Sequence, residues 1–419
     1  MTKSYTFSHL SNGLGFLHVP LPQAHSIFIS LTGKVGRRAE EDNEVGAAHF
    51  LEHLFFDGTK KRPDALAVNK FIESIGAMQN GTTWMETVSY YAKATPENAE
   101  GVCDFISDIF QHSKLKEFKK ERQVIAQEAA FKRDDPLESL VRKRFAVLYP
   151  GQRMGRSIFD EDINLPHMTE KIIRNYHERT YVAENFLLCM AGNIPHAAAA
   201  ALAEKYFASI KNGQPTAFAP AIIASDKKVV IDKQDVQQSK AMFSYKAFGM
   251  SDPRAVSAEL LSFILGRGLS SRLADTLRNK LHLVYTVRAR TEEYSDTGFF
   301  SIFAFTDEDK LQQATSAIGK QLQRIVEEEV TDEELHRAKN MLLSQLQFAA
   351  EDVVSLGNLY AVQQLLTGQV KDVTAQIKEI KAVTKKDILQ VARTIFADQP
   401  KVNVVTKTLQ RLDVPDIRI

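Results

Sequence analysis

Two stretches of this 419-residue chain, MTEKIIRNYHERTY at 168–181 and VTKKDILQVARTIF at 383–396, share their apolar positions at an offset of 215. A repeat on that scale constrains the fold more than any local signal, because each copy has to build the same layers. Other correspondences keep the same order. TVSYYAKATPENAEGVCDFISDIF, a strand and then a helix, parallels GFFSIFAFTDEDKLQQATSAIGKQL, and YPGQ at 149–152 parallels LTGQ at 366–369. The chain reads as two homologous halves, and its length also exceeds the usual size of a single core. Between the halves, KNGQPTAFAPAIIASD at 211–226 breaks the pattern with prolines, a glycine and small residues. Domains at 1–210 and 227–419, joined by a linker at 211–226, are therefore expected.

Within the first half, SIFISLTG and TVSYYAKA alternate as strands, while DALAVNKFIESIG and the stretch from Lys116 to about Arg133 have helical spacing. The fold class expected is α+β, with two homologous α/β-sandwich domains, each an antiparallel-rich sheet packed with helices. A formal net charge of +1 provides no broad field for gathering nucleic acid or anionic membrane. No stretch of about 18 apolar residues marks a membrane span. Neither partner is expected. The opening segment has no signal-peptide apolar run and no Arg/Ser-rich transit pattern. Cys103 and Cys189 both sit in apolar surroundings and are expected as buried free thiols, which points to the cytoplasm.

The chemistry concentrates in EVGAAHFLEHLFFDGT, Glu44 to Thr59, which reads as a helix stopped near Gly58. His49 and His53 are four apart and project from one helical face, with Glu52 on the adjacent flank. Two imidazoles and a carboxylate would give a catalytic zinc ion three protein ligands, leaving its fourth position for a water that Glu52 can deprotonate. In a chain with 11 histidines this pattern is expected by chance only about 0.02 times. The third ligand has to come from elsewhere. In KKERQVIAQEAAFKRDDP, Glu121 and Glu128 are seven apart and return to one helical face, so one could ligate while the other orients a histidine. Gly266-Arg267-Gly268 lacks the lysine of a phosphate-binding loop and reads as a tight turn.

HFLEH followed 75 residues later by Glu128 resembles the pitrilysin-type, or inverzincin, family of zinc metallopeptidases, in its short two-domain form related to mitochondrial processing peptidase. The similarity spans the chain, from LSNGLGFLHVPLP through VGRRAEEDNEVGAAHFLEHLFFDGT to YVAENFLLCMAGNI. It implies His49, His53 and Glu128 as ligands of one zinc ion per chain, Glu52 as general base and Glu121 as the supporting acid. GAMQNGTTWMETVSYYA resembles the family segment in which an asparagine hydrogen-bonds the substrate backbone beside an exposed edge strand. Asn80 holds that position, and Gly81 stands where alanine is usual. GRGLSSRLADTLRNKLHLVYTV resembles the region that presents an arginine and a tyrosine, here Arg278 and Tyr285, to the oxyanion of a reacting carbonyl. His282 stands where glycine is usual.

The repeat sets Ser257 and Leu261 against His49 and His53, so the second half is expected to hold no metal. What the resemblance implies is a metalloendopeptidase or oligopeptidase acting on unfolded peptides, in a chamber formed by a homodimer whose second copy supplies Arg278 and Tyr285. Two alternatives stay open at this point: a specific processing peptidase with a different partner chain, and a non-catalytic scaffold subunit.

Overall fold

Thr169 and Thr384 each accept a hydrogen bond from a backbone N–H three residues on, from Ile172 and Asp387, and each opens a helix. They stand at the offset of the sequence repeat, and Ile173 and Ile388 are fully buried at matching places behind them. The duplication is thus carried by caps as well as by apolar spacing. The computed structural model describes residues 4–133, 135–156, 164–397 and 400–412. In chain order the first half runs β1 (Thr6–His9), β2 (Gly15–Pro20), β3 (Ile27–Gly33), α1 (Ala47–Phe56), α2 (Ala65–Ser74), β4 (Met78–Thr83), β5 (Val88–Ala94), α3 (Ala99–His112), α4 (Phe118–Arg133), α5 (Pro136–Leu148), α6 (Glu170–Thr180), β6 (Phe186–Gly192) and α7 (His196–Phe207). The second runs β7 (Val229–Lys233), β8 (Ser239–Ala247), α8 (Ala255–Gly266), a π-helical turn (Ala274–Lys280), β9 (Thr286–Glu293), β10 (Gly298–Thr306), α9 (Leu311–Glu327), α10 (Asp332–Glu351), α11 (Val353–Thr367), α12 (Val373–Ala382), α13 (Lys385–Phe396) and β11 (Lys401–Thr406).

Among the described residues the strands form two sheets, ordered β1-β2-β6-β3-β5-β4 and β7-β11-β8-β10-β9. β2 runs parallel to β6 and β7 parallel to β11, and the remaining pairs are antiparallel. Without β1, the first sheet has the topology of the second. The fold is therefore α+β, two copies of one layered design, as the sequence leads one to expect. β4 and β9 are corresponding edge strands. β3, every residue of which is buried, lies inside its sheet and is covered on both faces.

That double covering decides which residues make up each unit. The compact units are Met1–Phe131 with Ile158–Ala219 and Gln347–Val373, and Lys132–Ser157 with Pro220–Leu346 and Thr374–Ile419. In the first, Val353, Leu356, Tyr360 and Ala361 of α11 cluster with Leu17, Val19, Phe28, Leu187 and Cys189 of the sheet. In the second, Leu140 of α5 clusters with Met242, Phe303 and Val405. Arg144 of α5, almost fully buried, pairs with Glu292 at 2.6 Å and lies over the Phe299 ring. The units consequently differ from the consecutive spans 1–210 and 227–419. An apolar sheet face has to be covered, and here the covering helix comes from the other half of the sequence.

Between Phe207 and Val229 the chain has neither helix nor strand, and the boundary between units falls at Ala219 and Pro220, within the 211–226 stretch. Cys103 and Cys189 are buried and free. Burial pushes both thiols far above their ordinary range. Among the described residues no helix is long and apolar enough to cross a membrane.

Candidate metal centre

α1 starts at Gly46, whose φ of 102° is left-handed backbone that a side chain would strain and whose missing side chain leaves the helix end uncapped. Glu40, completely buried, closes that end: its Oε2 accepts from Gly46 N–H at 3.0 Å and its Oε1 from Ala48 N–H at 2.9 Å. A carboxylate at a helix N-terminus also complements the helix dipole. Ala47, Ala48, Phe50, Leu51, Leu54 and Phe55 bury the inner face of α1. His49, Glu52, His53 and Phe56 share the remaining face, each partly exposed.

α4 brings its acids to that face. His49 Nε2 and His53 Nε2 are 3.2 Å apart, and Glu128 Oε2 lies 3.6 Å from the first and 3.7 Å from the second. Ligand atoms about 2.0–2.2 Å from one tetrahedral ion stand about 3.3–3.6 Å from each other, so the three atoms already have nearly the spacing that zinc requires. Two imidazole nitrogens and one carboxylate oxygen are also a zinc donor set. Among the described residues this is the group of acids, histidines and cysteines whose ligand atoms converge in that way.

Behind it, His53 Nδ1 lies 3.0 Å from Glu121 Oε2. With Nδ1–H donating to that carboxylate, Nε2 presents its lone pair to the centre. Glu121, nearly buried, would be raised by burial alone, but the bonds to His53 and Lys120 outweigh this and hold its carboxyl down at about 2. His53 is opposed by burial too, yet the Glu121 hydrogen bond and the charges of Glu128, Glu121 and Glu52 raise its pKa. Lys120 bridges Glu121 Oε1 at 3.0 Å and Asp57 Oδ1 at 2.6 Å. The acid that orients His53 is itself anchored.

Glu52 is not among the three converging ligands. Its Oε2 accepts a hydrogen bond from Thr83 Oγ1 at 2.6 Å, on edge strand β4. Asn80 is exposed on the same strand, where its Nδ2 lies 3.4 Å from Tyr91 Oη. The structure thus brings His49, Glu52, His53, Glu121 and Glu128 together, with the Asn80 strand beside them. Arg278 and Tyr285 belong to the other unit. Arg278 is exposed on the π-helical turn, and Tyr285, also exposed, donates its hydroxyl to Asp307 Oδ1 at 3.0 Å. That bond pushes the phenol pKa up. His282 between them has φ of 52°, the backbone region that glycine enters freely.

Comparisons with known proteins give the family. The family model described as "Insulinase (Peptidase family M16)" matches residues 18–162, and the one described as "Peptidase M16 inactive domain" matches residues 167–342. A protein of Rickettsia bellii called an uncharacterized zinc protease is 32% identical over 406 residues, covering 95% of this chain and 96% of its own. The chain belongs to peptidase family M16. A Bacillus subtilis member, the uncharacterized zinc protease YmxG, is 27% identical over 401 residues, covering 95% and 96%. Among solved structures, a protease from Helicobacter pylori superposes with a TM-score of 0.88 at 24% identity, over 96% of this chain and 99% of that one. An M16 inactive-domain protein from Pseudomonas fluorescens superposes at 0.89 with 15% identity, over 98% and 100%. At these identities the likeness concerns the fold alone, and the chain has the short two-domain M16 form.

Several contributors to this site escape the sequence reading, Thr83, Glu40, Lys120 and Asp57 among them. Thr83 could have been found from strand alternation, which puts it on the same face as Gly81. Glu40 carries no such signal, because a carboxylate capping a helix from outside its first turn follows no period.

Proposed function

We propose that this chain is a zinc-dependent endopeptidase or oligopeptidase that hydrolyses unfolded peptides in the cytoplasm, with one zinc ion per chain held by His49, His53 and Glu128. The observation that carries the reading is the triangle of ligand atoms with a carboxylate, Glu52, on the helix that supplies its two histidines. Zinc bound there supplies Lewis acidity and lowers the pKa of coordinated water to about 7. Glu52 is the general base that takes the proton. Glu121 keeps His53 in the tautomer that presents Nε2. Asn80 hydrogen-bonds the main chain of a peptide that adds to the free edge of β4. Arg278 and Tyr285 donate to the oxyanion, Tyr285 exchanging Asp307 for the substrate. They act in trans, from the second copy of a homodimer enclosing a chamber.

Purified protein is expected to hold one zinc per chain, and Glu52→Gln to keep that zinc while turnover of mixed peptides falls about a hundredfold or more. Near-normal turnover in that variant would remove Glu52 as the base. Active protein without zinc would remove the whole reading. Mixing inactive Glu52→Gln with inactive Tyr285→Phe under conditions of subunit exchange should restore part of the activity. A mixture that stays inactive despite verified exchange rules out the arrangement in trans.

A further inference from the structure

β4 turns Gly81 and Thr83 toward the metal helix, since residues two apart on a strand share a face. Thr83 donates its hydroxyl to Glu52 Oε2. At Gly81 a Cβ would lie 2.7 Å from Glu52 Cγ, 3.2 Å from Glu52 Cδ and 3.0 Å from Phe56 Cε2. A side chain at residue 81 would make the Glu52 stem or the Phe56 ring give way. Glu52 is held from two sides: its stem against the Gly81 backbone, its carboxylate by the Thr83 hydroxyl.

We propose that Thr83 is the positioning residue for Glu52. The proposal rests on the peptidase reading above, in which Glu52 is the base. A glutamate side chain has three rotatable bonds and, left alone on a helix surface, spreads over several rotamers. Fixing Oε2 on Thr83 selects one of them and leaves Oε1 as the oxygen free to accept a proton. The Thr83 hydroxyl bonds to Glu52, which is not one of the three ligands, so its contribution goes to the base. It is also the last residue of the strand whose free edge would receive the peptide, so the element that binds substrate and the element that aims the base are one piece of backbone.

Valine has the shape of threonine without the hydroxyl, and serine keeps the hydroxyl without the methyl. Thr83→Val should lower kcat about tenfold, the loss expected for one hydrogen bond to a charged group, while zinc content and KM stay at wild-type values. Thr83→Ser should return kcat to within about twofold of wild type. Crystal structures of both variants and the wild type supply a readout independent of turnover: the Glu52 carboxylate leaves its wild-type position in Thr83→Val and keeps it in Thr83→Ser. An unmoved Glu52 in Thr83→Val, an unchanged kcat, or a serine variant as impaired as the valine one overturns the proposal. If wild-type protein hydrolyses no peptide the functional reading fails instead, and the crystallographic comparison still decides whether Thr83 places Glu52.

Discussion

α1 and α8 are the same helix in two copies of one fold, and they differ in what their outer face carries. Counting from His49 to Ser257, Glu52 and His53 fall against Leu260 and Leu261. α5 and α11 are capped by Asp135 and Asp352, and that correspondence sets Ala338 against Glu121 and Gln345 against Glu128. No acid or histidine of the first site has an acid or histidine opposite it. In α1 the site residues stay partly exposed, whereas Leu260 and Leu261 are fully buried and α8 is covered on nearly every side. Among the described residues, the second unit repeats the sheet order of the first and its capped helix with none of these five acids and histidines at the matching places. The difference teaches that this architecture is held by apolar layers, so the fold of the first copy does not call for a metal.

The strongest way to break the comparison is to give the first copy the residue of the second. His53→Leu should leave zinc undetectable in the purified protein and peptide hydrolysis at background, because two of the three ligands do not make a zinc site. Its far-ultraviolet circular dichroism and cooperative melting should remain, as the apolar face of α1 is untouched. A variant that loses its fold along with its zinc would show that the metal is structural after all, and that the resemblance between α1 and α8 misleads.

How much of this was legible beforehand follows from the same comparison. The repeat, the strands and the metal helix show in sequence because they rest on local periodicity: Ile173 and Ile388 face the core at one spacing, and His49 and His53 leave α1 on one side. The exchange of α5 and α11 between units was not legible. Leu140 and Leu356 read as core residues, but nothing in their spacing says which sheet they cover. Glu121 and Glu128 were visible as a pair on one helical face, and the distances to His53 and His49 separate their places. Thr83 shares a strand face with Gly81, but nothing in the sequence spacing says that this face meets Glu52.

A second test uses His177 of α6, whose counterpart in α13 is Ala392. His177 packs against the Phe55 ring of α1 and against Tyr181. Burial, with the nearby charges of Lys211 and Arg174, lowers its pKa to about 4. The folded state therefore favours neutral imidazole more than the unfolded state does. Stability from this source is complete above the unfolded value near 6.5 and is lost as pH falls from there toward 4. The full difference is on the order of 3 kcal/mol. Urea denaturation at pH 7.5 and pH 4.5 should show wild type losing more stability on acidification than His177→Ala. Equal losses in the two proteins would mean that His177 does not make the first copy acid-sensitive where the second is not.

A smaller effect is expected at Glu121, and it sharpens the comparison most, because it separates holding a metal from orienting the group that holds it. Its counterpart Ala338 is buried in α10. Glu121→Ala leaves His49, His53 and Glu128 in place but removes the acceptor for His53 Nδ1–H, so the imidazole is free to turn or to carry its proton on Nε2. Losses for a partner of this kind run to about 10–100-fold in metal affinity. Competition with a chromophoric chelator should find zinc weakened by that factor and not abolished, which distinguishes Glu121 from a ligand. Glu121→Gln should fall between wild type and alanine, since its amide oxygen still accepts from Nδ1–H without the charge. Lys120 is expected to matter less, because it is largely exposed and water can replace it at Glu121 and Asp57. If Glu121→Ala bound zinc as tightly as wild type, the ionised Glu121 carboxylate would be a passive neighbour of His53, and the ligand triangle alone would distinguish the first copy from the second.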